Sequence, residues 1–126
     1  MNIATEKQIK EYQLLTPLFH TLLKEVKELS KKKPDEIINK FKANTVNKVL
    51  SRIKEILKKE PTNDFTEIID IDSLPSNSDV VLVMVQFETA LNKFYTKHTS
   101  KDGFNYNRKW NGYEGVVGED SDEVAF

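Results

Sequence analysis

Apolar residues recur along the chain in three blocks, each with the alternating three-and-four spacing of a helix face. In the first, Tyr12, Leu15, Phe19, Leu22, Val26 and Leu29 form one stripe, flanked by Leu14, Leu18 and Leu23. Ahead of it, Thr5-Glu6-Lys7-Gln8 has the pattern of a capping box. The Thr5 hydroxyl can take a free backbone N–H while Gln8 reaches back to the cap. Pro17 interrupts the block. It has no amide donor and crowds the preceding turn, which predicts a kink there or a second helix capped by Thr16.

Lys31-Lys32-Lys33 reads as a connection, with Pro34 in the first turn of the next helix and Asp35 and Glu36 near its positive end. The second stripe is Ile38, Phe41, Thr45, Val49, Ile53 and Ile56, broadened by Ile37, Val46, Leu50 and Leu57. Lys58 and Lys59 suit its last turn, and residues 60–64 end it. Residues 65–71 are less regular and fit a short strand, followed by a loop through Leu74-Pro75. In the third block a cap at Ser78 and one continuous helix place Val80, Val81, Met84, Phe87, Leu91 and Phe94 on a common side. Leu82, Val83 and Val85 make its first half apolar nearly all round. Those β-branched residues also fit a buried strand.

The expected fold is therefore mainly α: a compact three- or four-helix bundle with an irregular C-terminal extension. The alternative is a small α+β domain with strands at 65–71 and 80–86. By composition the chain divides into a helical core domain over 1–99, an aromatic, turn-rich extension over 100–117 and an acidic, flexible tail over 118–126.

A chain of 126 residues supports one hydrophobic core. It has no cysteine, which removes disulfides and thiolate chemistry, and its two histidines, His20 and His98, are too few for a histidine-rich metal site. The N-terminus shows no apolar signal core, and no run approaches the roughly 18 residues that span a bilayer. The expectation is a cytoplasmic or otherwise intracellular protein with no membrane partner.

The formal charge of -1 conceals a separation. Residues 24–60 carry twelve Lys/Arg and six acids, whereas residues 61–88 hold six acids and residues 110–126 five, both without a base. An anionic partner suits the middle and a cationic partner the later segments.

Catalytic chemistry finds little support. Asp64, Glu67, Asp70 and Asp72 invite a metal-dependent nuclease reading, since carboxylates can hold Mg²⁺ and position a water. They lack a calcium-loop pattern, a partner histidine and a neighbouring lysine, so a solvated acidic surface is expected. No serine or threonine is tied by spacing to a histidine, and no glycine-rich phosphate loop occurs. We assign no catalytic residue, no metal ligand and no cofactor. For nucleic acid, Lys40, Lys48, Arg52 and Lys59 form a basic stripe on the second helix. Tyr106, Arg108 and Trp110 add basic and stacking groups suited to single strands. Trp110 and Phe104 equally suit packing over the helices.

The last eight residues, EDSDEVAF, set Asp120, Asp122 and Glu123 ahead of Phe126. This segment resembles the terminal tip of bacterial and phage single-stranded-DNA-binding proteins. The resemblance implies that Asp122 and Glu123 attract a basic partner and that Phe126 enters a pocket on it. It spans these eight residues only; Ala125 stands where bacterial tips often carry proline, and the body lacks the strand pattern of their OB fold. The sequence thus reads as a non-catalytic interaction protein, an accessory factor of nucleic-acid metabolism such as replication or repair. Its contact groups would be a basic helical surface and an acidic-aromatic tail. The alternative is an inhibitor, immunity or antitoxin-like protein that blocks a basic partner through Asp70, Asp72 and the terminal acids. The broad apolar block after Val80 also allows a homodimer.

Overall fold

The protein, seen here as a computed structural model, is described over residues 2–101 and 107–113. Its main elements are three packed helices, α1 Glu6–Lys32, α2 Lys40–Leu57 and α3 Asn77–His98, and a small antiparallel pair, β1 Thr99–Lys101 and β2 Arg108–Trp110. The architecture is mainly α. No helix among the described residues is long and apolar enough to cross a membrane.

α1 starts at the expected capping box, with the Gln8 amide donating to Thr5 Oγ1 at 3.0 Å and the Thr5 amide donating to Gln8 Oε1 at 2.8 Å. The second helix expected at Thr16 does not form, because α1 runs unbroken through Pro17. Pro17 lies on the exposed side, while Leu15 and Phe19 on either side of it are in the core. Burial of the stripe holds a helix that has lost one internal donor.

α2 begins later than Pro34 suggested, at an Asn39 cap that accepts from the Lys42 amide at 3.2 Å. The intervening stretch instead pairs with the entry to α3. Ile38 N donates to Pro75 O at 2.9 Å, Asn77 N to Glu36 O at 2.9 Å, and Ser78 N to Pro34 O at 3.1 Å. These bonds use the carbonyls that a helix from Pro34 would have needed for itself. The core face of α2 also differs from the expected stripe at its first turn. Ile38, Ile53 and Ile56 of that stripe are buried as expected, together with Val46, Leu50 and Leu57, but Ala43 is buried where Phe41 was expected, and Phe41 is 77% exposed.

No strand forms over 65–71. The chain there makes two short 3-10 turns, Pro61–Phe65 and Ile71–Ser73, joined by an extended stretch. Asn47 holds that stretch by donating to Ile69 O and accepting from Ile69 N, each at 2.9 Å, and Lys54 donates to Thr66 O. α3 is one continuous helix, as the capping signals implied, but its cap is Ser76 rather than Ser78. Asp79 N donates to Ser76 Oγ at 3.1 Å, and Ser76 N donates back to Asp79 Oδ2 at 2.9 Å. Val80, Met84, Phe87, Leu91 and Phe94 fill the core, yet Leu82 is 62% exposed, so the first half is not buried all round.

Contacts at both ends fix the helix directions. Glu11 meets Arg52 and Glu25 meets Lys42, which makes α1 and α2 antiparallel. Tyr12 stacks on Tyr95 and His20 approaches Glu88, which makes α1 and α3 antiparallel. The β pair, in register Thr99↔Trp110, folds back over the end of α3.

Candidate functional site

Two polar surfaces stand out. The first is a groove of about 320 Å³ between residues 64–75 and the first half of α3. Four carboxylates line it, Asp64, Glu67, Asp70 and Asp79, along with Phe65, Ile68 and Val83. No lysine, arginine or histidine is among the lining residues, and none of the four acids makes an ion pair among the described residues. Phe65 is 73% exposed, and Leu74 and Leu82 are exposed on the elements that border the groove. Leu74 also adopts left-handed backbone, φ 56 and ψ 57. A side chain other than glycine, asparagine or aspartate is uncommon there, and the strain costs about 1–2 kcal/mol. Asp72 is exposed in the Ile71–Ser73 turn beside this groove.

Asp70 precedes and Asp72 lies within the Ile71–Ser73 turn. Among the described residues no group of three His, Asp or Glu side chains is gathered in a way that could hold a metal ion. The acids are spread along a groove rather than converged on a point, which suits a surface more than a metal centre.

The second surface is the outer side of α2. Lys40, Lys48 and Lys59 are exposed and make no ion pair among the described residues. Arg52 lies one turn from Lys48 but is engaged, with Nε and Nη2 donating to Glu11 at 3.1 and 2.6 Å. This bidentate pair ties α2 to α1. Three of the four expected stripe residues are thus free cations, and the fourth is a link between helices.

Of the expected supplement from the extension, Trp110 and Arg108 do not join that stripe. Trp110 is only 6% exposed. Its ring meets Tyr12 edge-on at 5.4 Å, Tyr95 at 5.5 Å and Phe94 at 6.2 Å. It cannot stack on a base without leaving this cluster. Arg108 donates from Nε to Thr99 Oγ1 at 2.6 Å and from Nη2 to Thr96 O at 3.1 Å and Thr99 O at 2.8 Å. Its guanidinium therefore closes the carbonyl end of α3. Both residues staple the β pair to the bundle. Burial pushes the nearby Tyr12 phenol up to about 12, with the Thr16 hydrogen bond opposing and Tyr95 adding to the rise. Tyr106, Asp120, Asp122, Glu123 and Phe126 lie outside the described residues.

Sequence reasoning overlooked a buried polar cluster at the end of α3. His98, 7% exposed, sits with Nε2 3.3 Å from Glu60 Oε2, while Lys97 Nζ lies 3.1 Å from Glu60 Oε1. The His98 ring packs on Phe94 at 4.5 Å between centroids. This cluster locks the α3 terminus onto the corner that follows α2. His20 is exposed, 4.0 Å from Glu88. No protein-family model, no characterised protein and no solved structure matches the chain.

Proposed function

We propose that this chain is a non-catalytic interaction protein that docks a basic protein in the groove between residues 64–75 and α3. The observation that carries the reading is the lining itself: four carboxylates outside any ion pair among the described residues, of which Asp79 also caps α3, around exposed apolar side chains, with no cation among the residues of the groove. Apolar contact supplies affinity, and the uncompensated charge selects a cationic partner and speeds its approach. Leu74, whose left-handed backbone ends the Ile71–Ser73 turn, adds an exposed apolar side chain at the border. An inhibitor or immunity-like protein acts in this way by covering a basic surface.

Affinity capture with the full chain, compared with an Asp64→Asn/Asp70→Asn variant, tests this. The expected result is one basic protein, retained at low salt by the wild type, released as salt rises, and lost from the variant. A partner held equally by both forms would refute the groove as its site. A second reading, as an accessory factor contacting nucleic acid through α2, keeps support from the free Lys40, Lys48 and Lys59.

A further inference from the structure

The outer face of α2 carries more than charge. Phe41, which the apolar pattern placed in the core, is the most exposed large hydrophobic residue among the described residues. With Asn44, Thr45, Lys48 and Ser51 it lines a shallow groove of about 520 Å³. Asn47 also borders this groove, but its amide is committed to Ile69. The lining contains no acid. The one acid within α2, Glu55, is paired with Lys58 at 3.7 Å. An exposed aromatic ring, amide and hydroxyl groups, and an unpaired lysine two turns from the ring therefore share one helix face.

We infer that this face binds single-stranded nucleic acid, with the Phe41 ring stacking on a base and Lys48 neutralising a phosphate. Phe41 and Lys48 are about 10 Å apart along the helix axis, from a rise of about 1.5 Å per residue. A strand lying along the groove reaches both. Lys40, unpaired at the first residue of α2, and Lys59, unpaired in the turn two residues past its end, extend the electrostatic footprint to three cations. Charge complementarity selects a polyanion over the basic protein proposed for the acidic groove, so the two sites take different partners. Exposure of the base faces selects single strands, because a duplex keeps its bases stacked. Asn44 and Ser51 can meet base edges or sugar from the same side.

Fluorescence anisotropy of labelled oligo(dT), oligo(U) and a duplex of matched length, titrated with the full chain across about 50 to 200 mM salt, tests the inference. Single strands are expected to bind, with the logarithm of affinity falling against the logarithm of salt at a slope of about -2 for three phosphate contacts. Comparing the two single strands identifies DNA or RNA as the source. Phe41→Ala is expected to weaken binding about tenfold, and Phe41→Tyr, which keeps the ring, to retain it. Lys48→Gln is expected to flatten the slope by about 0.7. The exposed position of Phe41 leaves the core intact, and far-UV circular dichroism checks this. Equal affinity for the duplex, absence of salt-sensitive binding, or an unchanged affinity in Phe41→Ala would overturn the inference. A Phe41→Ala variant that binds oligonucleotide normally but dissociates a dimer would give the face to self-association instead.

Discussion

Replacing Trp110 by alanine is the sharpest test of how the β pair is attached to the bundle. The indole is almost fully buried against three rings, Tyr12, Phe94 and Tyr95. Removing a buried tryptophan in this way costs about 3–5 kcal/mol through lost transfer energy and an unfilled cavity. Each aromatic pair that is lost adds to the same side, at about 0.5–1.5 kcal/mol beyond area burial. The neighbouring bonds of Asn111 to Asn2 O at 2.8 Å and of the Tyr113 hydroxyl to Ala4 O at 2.9 Å would also lose their support. For a domain stable by about 5–15 kcal/mol, the variant loses a large share of its stability.

Urea unfolding followed by far-UV circular dichroism measures the difference directly, with the slope checked so that a change in midpoint is a change in stability. Because Trp110 is the one tryptophan of the chain, its emission in the wild type reports on this site alone. A blue-shifted spectrum is expected, and oligonucleotide should leave it unchanged. A cost below about 1 kcal/mol, with emission at the wavelength of free tryptophan, would place the ring in solvent and restore the stacking role it first suggested.

Two further outcomes follow from local geometry. Ser76→Ala removes the acceptor for the Asp79 amide and should cost about 1 kcal/mol in urea unfolding, and Ser78→Ala less; the opposite order would move the cap to Ser78. Spectrophotometric titration should show one phenol ionising late, near pH 12, and this residue is Tyr12. Since the unfolded chain ionises it near pH 10, its contribution to stability is complete below that pH and is lost as pH rises towards 12; Tyr12→Phe should remove this part of the alkaline loss, and an unchanged alkaline profile would refute the assignment.

Signals confined to a few neighbouring residues were readable from the chain. The Thr5 capping box involves side chain and backbone three residues apart, and α3 announced itself by unbroken spacing from Val80 to Phe94. The acidic run over 61–88 was also legible, because charge survives whatever fold carries it. The failures have a different cause. Phe41 and Ala43 both fit a helical period, and the large ring drew the stripe to itself. The packing between α2 and its neighbours instead accommodates the small Ala43 and turns the ring outward. Pro34 has the character of a helix start, but the carbonyls of Lys33, Pro34 and Glu36 serve Asn77 and Ser78, some forty residues away. Trp110 could be recognised as large and amphipathic; the cluster of Tyr12, Phe94 and Tyr95 that receives it exists only after folding.

Both proposed binding surfaces depend on α2, which carries one of them and holds the wall of the other. Asn47 and Lys54 project to one side, where they satisfy the backbone of Thr66 and Ile69 and so fix the extended wall of the acidic groove. Asn47 also borders the groove that bears Phe41, but its amide is spent on Ile69, whereas Lys48 beside it makes no ion pair among the described residues. One helix thus anchors an acidic wall through neutral and cationic side chains while presenting free cations elsewhere. A wall without ladder bonds would otherwise leave its amides and carbonyls unpaired, and carboxylates along it would repel one another with nothing to hold their spacing. Anchoring by side chains supplies that spacing without placing a counter-charge inside the groove, because the Lys54 ammonium is spent on the Thr66 carbonyl rather than on an acid. The charge of each surface therefore stays available to a partner, and the helix between them is the part of the fold on which both depend.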